Sequence, residues 1–203
     1  GEVTLPGFSQ YLQPIDASHL IGIGVDATDT GQVTGLGISL FDVSDPAHPV
    51  VVDRYTPGDY SYSEAQYDHK AVLYIAESGL LVIPVQVYDY TADVRGGGGS
   101  WQGAYVLQVD PLSGFTLKAK VAHPSSVAGK DYYGAPIAYQ PNIRRTLYIG
   151  EFLYTVSELY IQANTMTDFA TVASVTIGTP PDYSYYGGGG VAVSPPSGGS
   201  AGV

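Results

Sequence analysis

Two Asp-Pro turns, Asp45-Pro46 and Asp110-Pro111, stand 65 residues apart, and each divides one strand-like run from the next. Leu40-Phe41-Asp42-Val43-Ser44 leads into the first turn, and the run at 50–55 leaves it. Val106-Leu107-Gln108-Val109 leads into the second, and the run at 115–121 leaves it. Proline presets φ for the turn, and aspartate hydrogen-bonds the local backbone. A pattern that recurs at this distance marks a repeat architecture, which constrains the fold more than any local propensity does.

A third copy runs through 159–163, a turn at 164–168, and 169–177. Each copy is preceded by a further pair of strand-like runs: 12–15 with 20–25, 71–76 with 80–85, and 137–140 with 147–150. Runs at 2–5, 37–42, 104–109 and 153–157 complete the set, all rich in Val, Ile, Leu and Tyr between Gly, Pro, Asp and Ser. Only 63–70 and 164–169 invite a helical reading, and both are short for a helix. Four antiparallel strands per repeat define a propeller blade. The period exceeds the ~40–45 residues of familiar four-stranded repeats. Three insertions, 26–34, 88–102 and 124–134, account for the excess.

The expected fold is all-β: about three four-stranded antiparallel blades, incomplete as a ring on their own. Their limits fall near 7–57, 60–123 and 134–178, with a leading strand at 2–6 from a preceding blade. The propeller-like domain covers 1–179. Propellers typically carry ~4–8 blades, so upstream blades or other copies of the chain are the expected partners. The N-terminus, Gly1-Glu2-Val3-Thr4, is neither a start methionine nor a signal peptide, so a processed, trimmed or fragmentary chain is expected. Residues 180–203 are rich in Gly, Pro, Ser and Tyr, the composition of a flexible tail. A docking arm is the sharper reading, with Tyr183, Tyr185, Tyr186, Val191 and Val193 as its anchors.

Composition narrows the function classes. The chain carries 8 basic and 19 acidic residues, a net charge of −11. Nucleic-acid binding needs the opposite sign, and anionic membranes are disfavoured likewise. No 18-residue apolar stretch exists to span a membrane. The absence of cysteine excludes disulfides, thiolate metal sites and cysteine nucleophiles. Charged residues make up only 13%, while tyrosine reaches 18 residues, many of them in turn regions. Tyr60, Tyr62, Tyr67, Tyr88, Tyr90, Tyr132 and Tyr133 offer apolar area with a polar tip, which suits a partner surface or sugar stacking.

No catalytic set converges in the sequence. Asp68-His69-Lys70 lies near Ser63 and Glu64, but adjacent residues on a strand point to opposite faces, against an Asp–His relay. Asp68 and His69 are instead expected to tie one blade to the next, as Asp45, Pro46, Asp110 and Pro111 define the blade turns. The histidines His19, His48, His69 and His123 lack zinc-site spacing. Asp26 and Asp29, with Asp42 and Asp45, place loop oxygens at short spacing and are the candidates for calcium; no other cofactor is expected. The tetraglycine at 96–99 lacks the Lys-Ser/Thr of a phosphate loop, and neither Asn142 nor Asn164 opens a glycosylation sequon.

Several ordered motifs resemble the secreted archaeal and bacterial proteins that carry a C-terminal β-propeller domain. They are Leu5-Pro6-Gly7-Phe8, His19-Leu20-Ile21-Gly22, Leu40-Phe41-Asp42-Val43-Ser44-Asp45-Pro46, Tyr62-Ser63-Glu64-Ala65-Gln66-Tyr67-Asp68-His69-Lys70-Ala71 and Arg145-Thr146-Leu147-Tyr148-Ile149-Gly150. The resemblance runs through about residues 2–177 and implies an extracellular or cell-surface propeller, this chain matching the last blades. Gln13 stands where the family is expected to carry His, which removes a ligand from any centre there. The expected function is a non-catalytic structural or binding module. The alternatives are a subunit that assembles into a filament or lattice by strand or tail exchange, and a polysaccharide-active enzyme. A surface polysaccharide is also an expected partner.

Overall fold

The computed structural model describes residues 1–88 and 100–184. Three antiparallel sheets follow one another along the chain. The first contains β1 (Phe8–Pro14), β2 (His19–Ala27), β3 (Val33–Asp42) and β4 (Val50–Tyr55) in sequence order. The second contains β5 (Ser61–Tyr62), β6 (Leu73–Ile75), β7 (Leu80–Val87), β8 (Trp101–Asp110) and β9 (Gly114–Val121). Its first position is filled twice, because β5 and β6 both pair with β7, one along each half. A separate hairpin, β10 (Ser126–Lys130) with β11 (Pro136–Tyr139), precedes the third sheet. That sheet contains β12 (Arg145–Ile149), β13 (Phe152–Val156), β14 (Tyr160–Thr165) and β15 (Thr171–Thr176).

The unbroken apolar run Leu80-Leu81-Val82-Ile83 needs cover on both faces of its strand, and the middle sheet has it. Leu81, Ile83 and Val85 of β7 join Tyr105 and Leu107 of β8 in a core against the first sheet. Ile21 and Ile23 of β2 with Leu36, Ile38 and Leu40 of β3 meet them there. The alternate residues Leu80, Val82, Ala104 and Val106 pack the other way, against Ile143 and Leu153 of the third unit. The strand period of two thus assigns one strand to two interfaces. Each fully buried aliphatic side chain contributes about 1.5–3 kcal/mol by leaving water.

The outer faces are covered unequally. Residues directly opposite across a ladder share a face, so Leu147, Ile149, Phe152, Ile161 and Val175 form one side of the third sheet. All five are exposed. Leu12, Leu20 and Phe41 lie on the corresponding side of the first sheet, where residues 1–5 run across and line a cavity with them.

Three expectations change in the structure. The leading strand at 2–6 does not form: residues 1–5 pair with no strand and lie on the face of the first sheet. The third blade starts at 145, not at 134, because 136–139 pairs with β10 rather than with β12. The run at 153–157 takes that place, since the two-residue turn Gly150-Glu151 locks β13 onto β12 without a register shift. Gly150 has φ +58, the left-handed value that a primed hairpin turn asks of its first central residue. Finally, 63–70 holds two separate 3₁₀ turns, Glu64–Gln66 and His69–Ala71, and 164–169 is the end of β14 and a turn.

Candidate functional site

Strand directions gather the insertions onto one rim. The β2–β3 and β7–β8 connections lie there, as do the links from β4 to β5 and from β9 to β12. The three sequence insertions therefore share a rim, while the Asp45-Pro46 and Asp110-Pro111 turns lie on the opposite one. Those turns are capped locally: Asp45 accepts from Ala47 N at 2.9 Å, and Asp110 from Leu112 N at 2.9 Å and Ser113 N at 2.8 Å. These bonds hold the Asp110 and Asp45 carboxyls below the usual range, with the His48 side chain the largest influence on Asp45.

Along the first-strand edge, polar side chains join the sheets. Asp68 caps the second 3₁₀ turn by accepting from Lys70 N at 2.9 Å, and its other oxygen accepts from Arg145 Nη2 at 2.5 Å. Glu64 accepts from Arg145 Nη1 at 2.8 Å and takes two bonds from Arg144, at 2.9 and 3.0 Å. The bond from Arg144 leads the effects that hold the Glu64 carboxyl below its usual value. On the other side, Gln66 Nε2 donates to Gly24 O at 3.0 Å and to Gln10 Oε1 at 3.1 Å. A bulge at Gln10 makes that reach. Gly24 beneath it has no room for a side chain, because a Cβ would stand 2.1 Å from Phe8 O.

Asp68 and His69 thus sit on a 3₁₀ turn rather than a strand, and they part there. The Asp68 carboxylate goes to Arg145, and the His69 ring stacks on Tyr11 with centroids 6.5 Å apart. Ser63 is buried and donates to Pro84 O at 2.5 Å. The calcium candidates do not converge. Asp26 accepts from Arg54 at 2.5 Å, Asp42 caps Ser44 at 2.8 Å, Asp45 caps its own turn, and Asp29 lies in an exposed loop. Among the described residues no three His, Cys, Asp or Glu side chains could hold a metal ion.

The second core has a polar portion that the sequence did not reveal. His123 is buried, its Nδ1 2.8 Å from Ser157 Oγ and its Nε2 2.8 Å from Thr155 Oγ1. Burial pushes its ring below the ordinary value of 6.5, toward the neutral form. Gln162 and Asn164 are buried beside it and bonded to each other at 3.1 Å. Thr146 Oγ1 is buried there without a hydrogen-bond partner among the described residues.

On the loop rim, the second and third sheets part to leave a cleft of about 300 Å³. Tyr62, Pro84 and Gln86 line it from the second sheet; Asn142, Arg144 and Glu158 line it from the third. Tyr62 and Gln86 are opposite one another on β5 and β7, so both side chains face the third sheet. Gln86 donates to Asn142 Oδ1 at 2.7 Å and accepts from Tyr88 OH at 3.1 Å. Glu158 accepts from Tyr139 OH at 2.5 Å; burial first, and then this bond, raises the Tyr139 phenol well above its usual value. Tyr183 packs edge-on against Tyr139, 6.4 Å between centroids, and donates its N–H to Ala128 O at 2.9 Å. Tyr90, Tyr185, Tyr186, Val191, Val193 and both tetraglycines lie outside the described residues.

Sequence reasoning gave no role to Arg144 or Glu158, quoted Gln66 and Arg145 only within family motifs, and weighed His123 only as a zinc ligand. Adjacent arginines in a chain with only 8 basic residues were the one available signal.

Antiparallel four-position sheets packed face to face, with long connections on one rim, define the β-propeller class. A family model described as a beta propeller domain matches residues 1–169, and the chain belongs to that family. Among curated relatives, an uncharacterized protein of Archaeoglobus fulgidus is 34% identical over 97 residues, 48% of this chain and 14% of the relative. An uncharacterized protein of Methanocaldococcus jannaschii is 29% identical over 163 residues, 79% of this chain and 20% of the relative. The chain thus spans a fifth or less of their length. No solved structure matches it.

Proposed function

We propose that this chain is a non-catalytic, extracellular part of a β-propeller, with a structural or binding role at the cell surface. The observation that carries the reading is how the charged groups of the first-strand edge are used. Glu64 and Asp68 are each held by an arginine from the next sheet, and at Glu64 the arginines, led by the bond from Arg144, favour a carboxylate that stays ionised. A general acid working near neutrality needs the reverse shift. His123, beside the Ser157 hydroxyl, is enclosed with it in the core and out of reach of a substrate. The lack of cysteine leaves no thiol to be oxidised outside the cell. The test is to incubate the purified chain with a polysaccharide panel and measure new reducing ends, alongside immunogold labelling of intact source cells. No new ends and surface label are expected; cleavage, or label confined to the cytoplasm, would sink the proposal.

A second reading rests on the exposed apolar face of Leu147, Ile149, Phe152, Ile161 and Val175. An apolar sheet face of this kind suits contact with another blade. The chain then works inside a larger ring or stack, completed by blades of a longer protein or by its own copies. Sedimentation over a range of concentrations separates the two, since only self-association depends on concentration.

A further inference from the structure

We infer that the cleft between the second and third sheets binds a neutral glycan, one or two sugar rings deep. The inference rests on the binding reading above and names its ligand class. The lining combines the groups that a sugar uses. Tyr62 is 48% exposed and meets Tyr88 edge-on at 6.0 Å, which steadies its ring at the mouth. An aromatic face carries partial negative charge and receives the C–H face of a pyranose. Around it stand planar groups that bond hydroxyls with fixed geometry. Asn142 spends its oxygen on Gln86, and its Nδ2 donors meet no partner among the described residues. Glu158 spends Oε1 on Tyr139, and Oε2 is equally open. One donor pair and one acceptor of this kind match the mixed character of sugar hydroxyls.

Size and charge narrow the class. About 300 Å³ lies at the low end of the ~300–1,000 Å³ range of small-ligand sites, which suits a ring or two rather than a long chain. Of the charged groups that line the cleft, Glu64 and Glu158 stand against Arg144 alone, leaving one negative charge in excess. Arg144 is already bidentate on Glu64, so an anionic sugar finds no spare cation pair. A neutral sugar meets neither obstacle.

The test is an NMR titration of the full chain, at millimolar ligand, with cello-, malto-, manno- and laminari-oligosaccharides, and with oligogalacturonate as the anionic control. Saturable shifts confined to Tyr62, Gln86, Asn142, Arg144 and Glu158 are expected with at least one neutral series. Tyr62→Ala and Glu158→Gln, both at partly exposed positions, are each expected to weaken that binding tenfold or more. No saturable shift with any neutral series overturns the inference. So does preference for oligogalacturonate, or unchanged affinity in both variants. Product analysis of the same samples keeps the two proposals apart. Cleaved sugar would sink the non-catalytic reading, whereas intact sugar without binding sinks only the glycan.

Discussion

Arg145 opens the third sheet, and its Nη2 stands 2.5 Å from Asp68 Oδ2, on a turn of the second. The same guanidinium reaches Glu64 at 2.8 Å, so one side chain holds two carboxylates of its neighbour. All three are about a third exposed or less, which places the cluster between a surface pair and a buried one. Arg145→Met should therefore lower stability by about 1–2 kcal/mol, above a typical exposed pair and below a fully buried one. Arg145→Lys should recover only part, because an ammonium cannot span both carboxylates. Urea unfolding at neutral pH checks both.

Acid should loosen the same cluster. The Glu64 carboxyl is lowered in the folded chain, chiefly by Arg144. A lowered carboxyl contributes stability above its unfolded value of about 4.5, and loses it as pH falls through the folded value. Glu64→Gln should cost stability at neutral pH, and the gap from the parent should begin to narrow as pH falls below about 4.5. A gap that persists at low pH would place the interaction elsewhere.

His123 acts in a higher window. Its ring is lowered by burial, so protonation favours the unfolded chain, and stability should begin to fall as pH drops below about 6.5. His123→Gln should be less stable at pH 7, because two hydroxyl bonds are disturbed, yet lose less between pH 7 and 5. Thermal melts across that range give the comparison.

Thr146→Val should stabilise the chain, by about 1 kcal/mol. The hydroxyl it removes is buried without a partner among the described residues, so its desolvation is uncompensated there, and valine has nearly the same shape. By contrast, Ile83→Ala in the first core should cost about 2–5 kcal/mol, since Ile83 is fully enclosed between two sheets.

The apolar end face should govern self-association. Replacing Leu147 and Ile149 together by Lys should abolish any concentration-dependent association while leaving the unfolding midpoint within a degree or two, because both side chains are exposed. Sedimentation velocity and melting, run side by side, decide this.

How much was legible before the fold was known differs along the chain. Most strands of the first two sheets followed from runs such as Leu80-Leu81-Val82-Ile83 and from the Asp-Pro turns that separate them, because both signals are local, whereas β5 at Ser61–Tyr62 fell in no strand-like run. The third sheet was misjudged at its start. Residues 136–139 are as strand-like as 153–157, and only the Gly150-Glu151 turn chooses between them. Asp68 was singled out by its neighbours, but its partner Arg145 lies 77 residues away, beyond any periodicity.

The sequence by itself determined an acidic, all-β repeat chain, since charge, turn chemistry and the period of apolar residues are properties of residues and their near neighbours. Only the tertiary structure decided that Gln66 faces the first sheet while Glu64 and Asp68 face the third, and that Tyr62 and Glu158 line one cleft. Those relationships arise where separate sheets pack, and packing brings together side chains that no local rule connects.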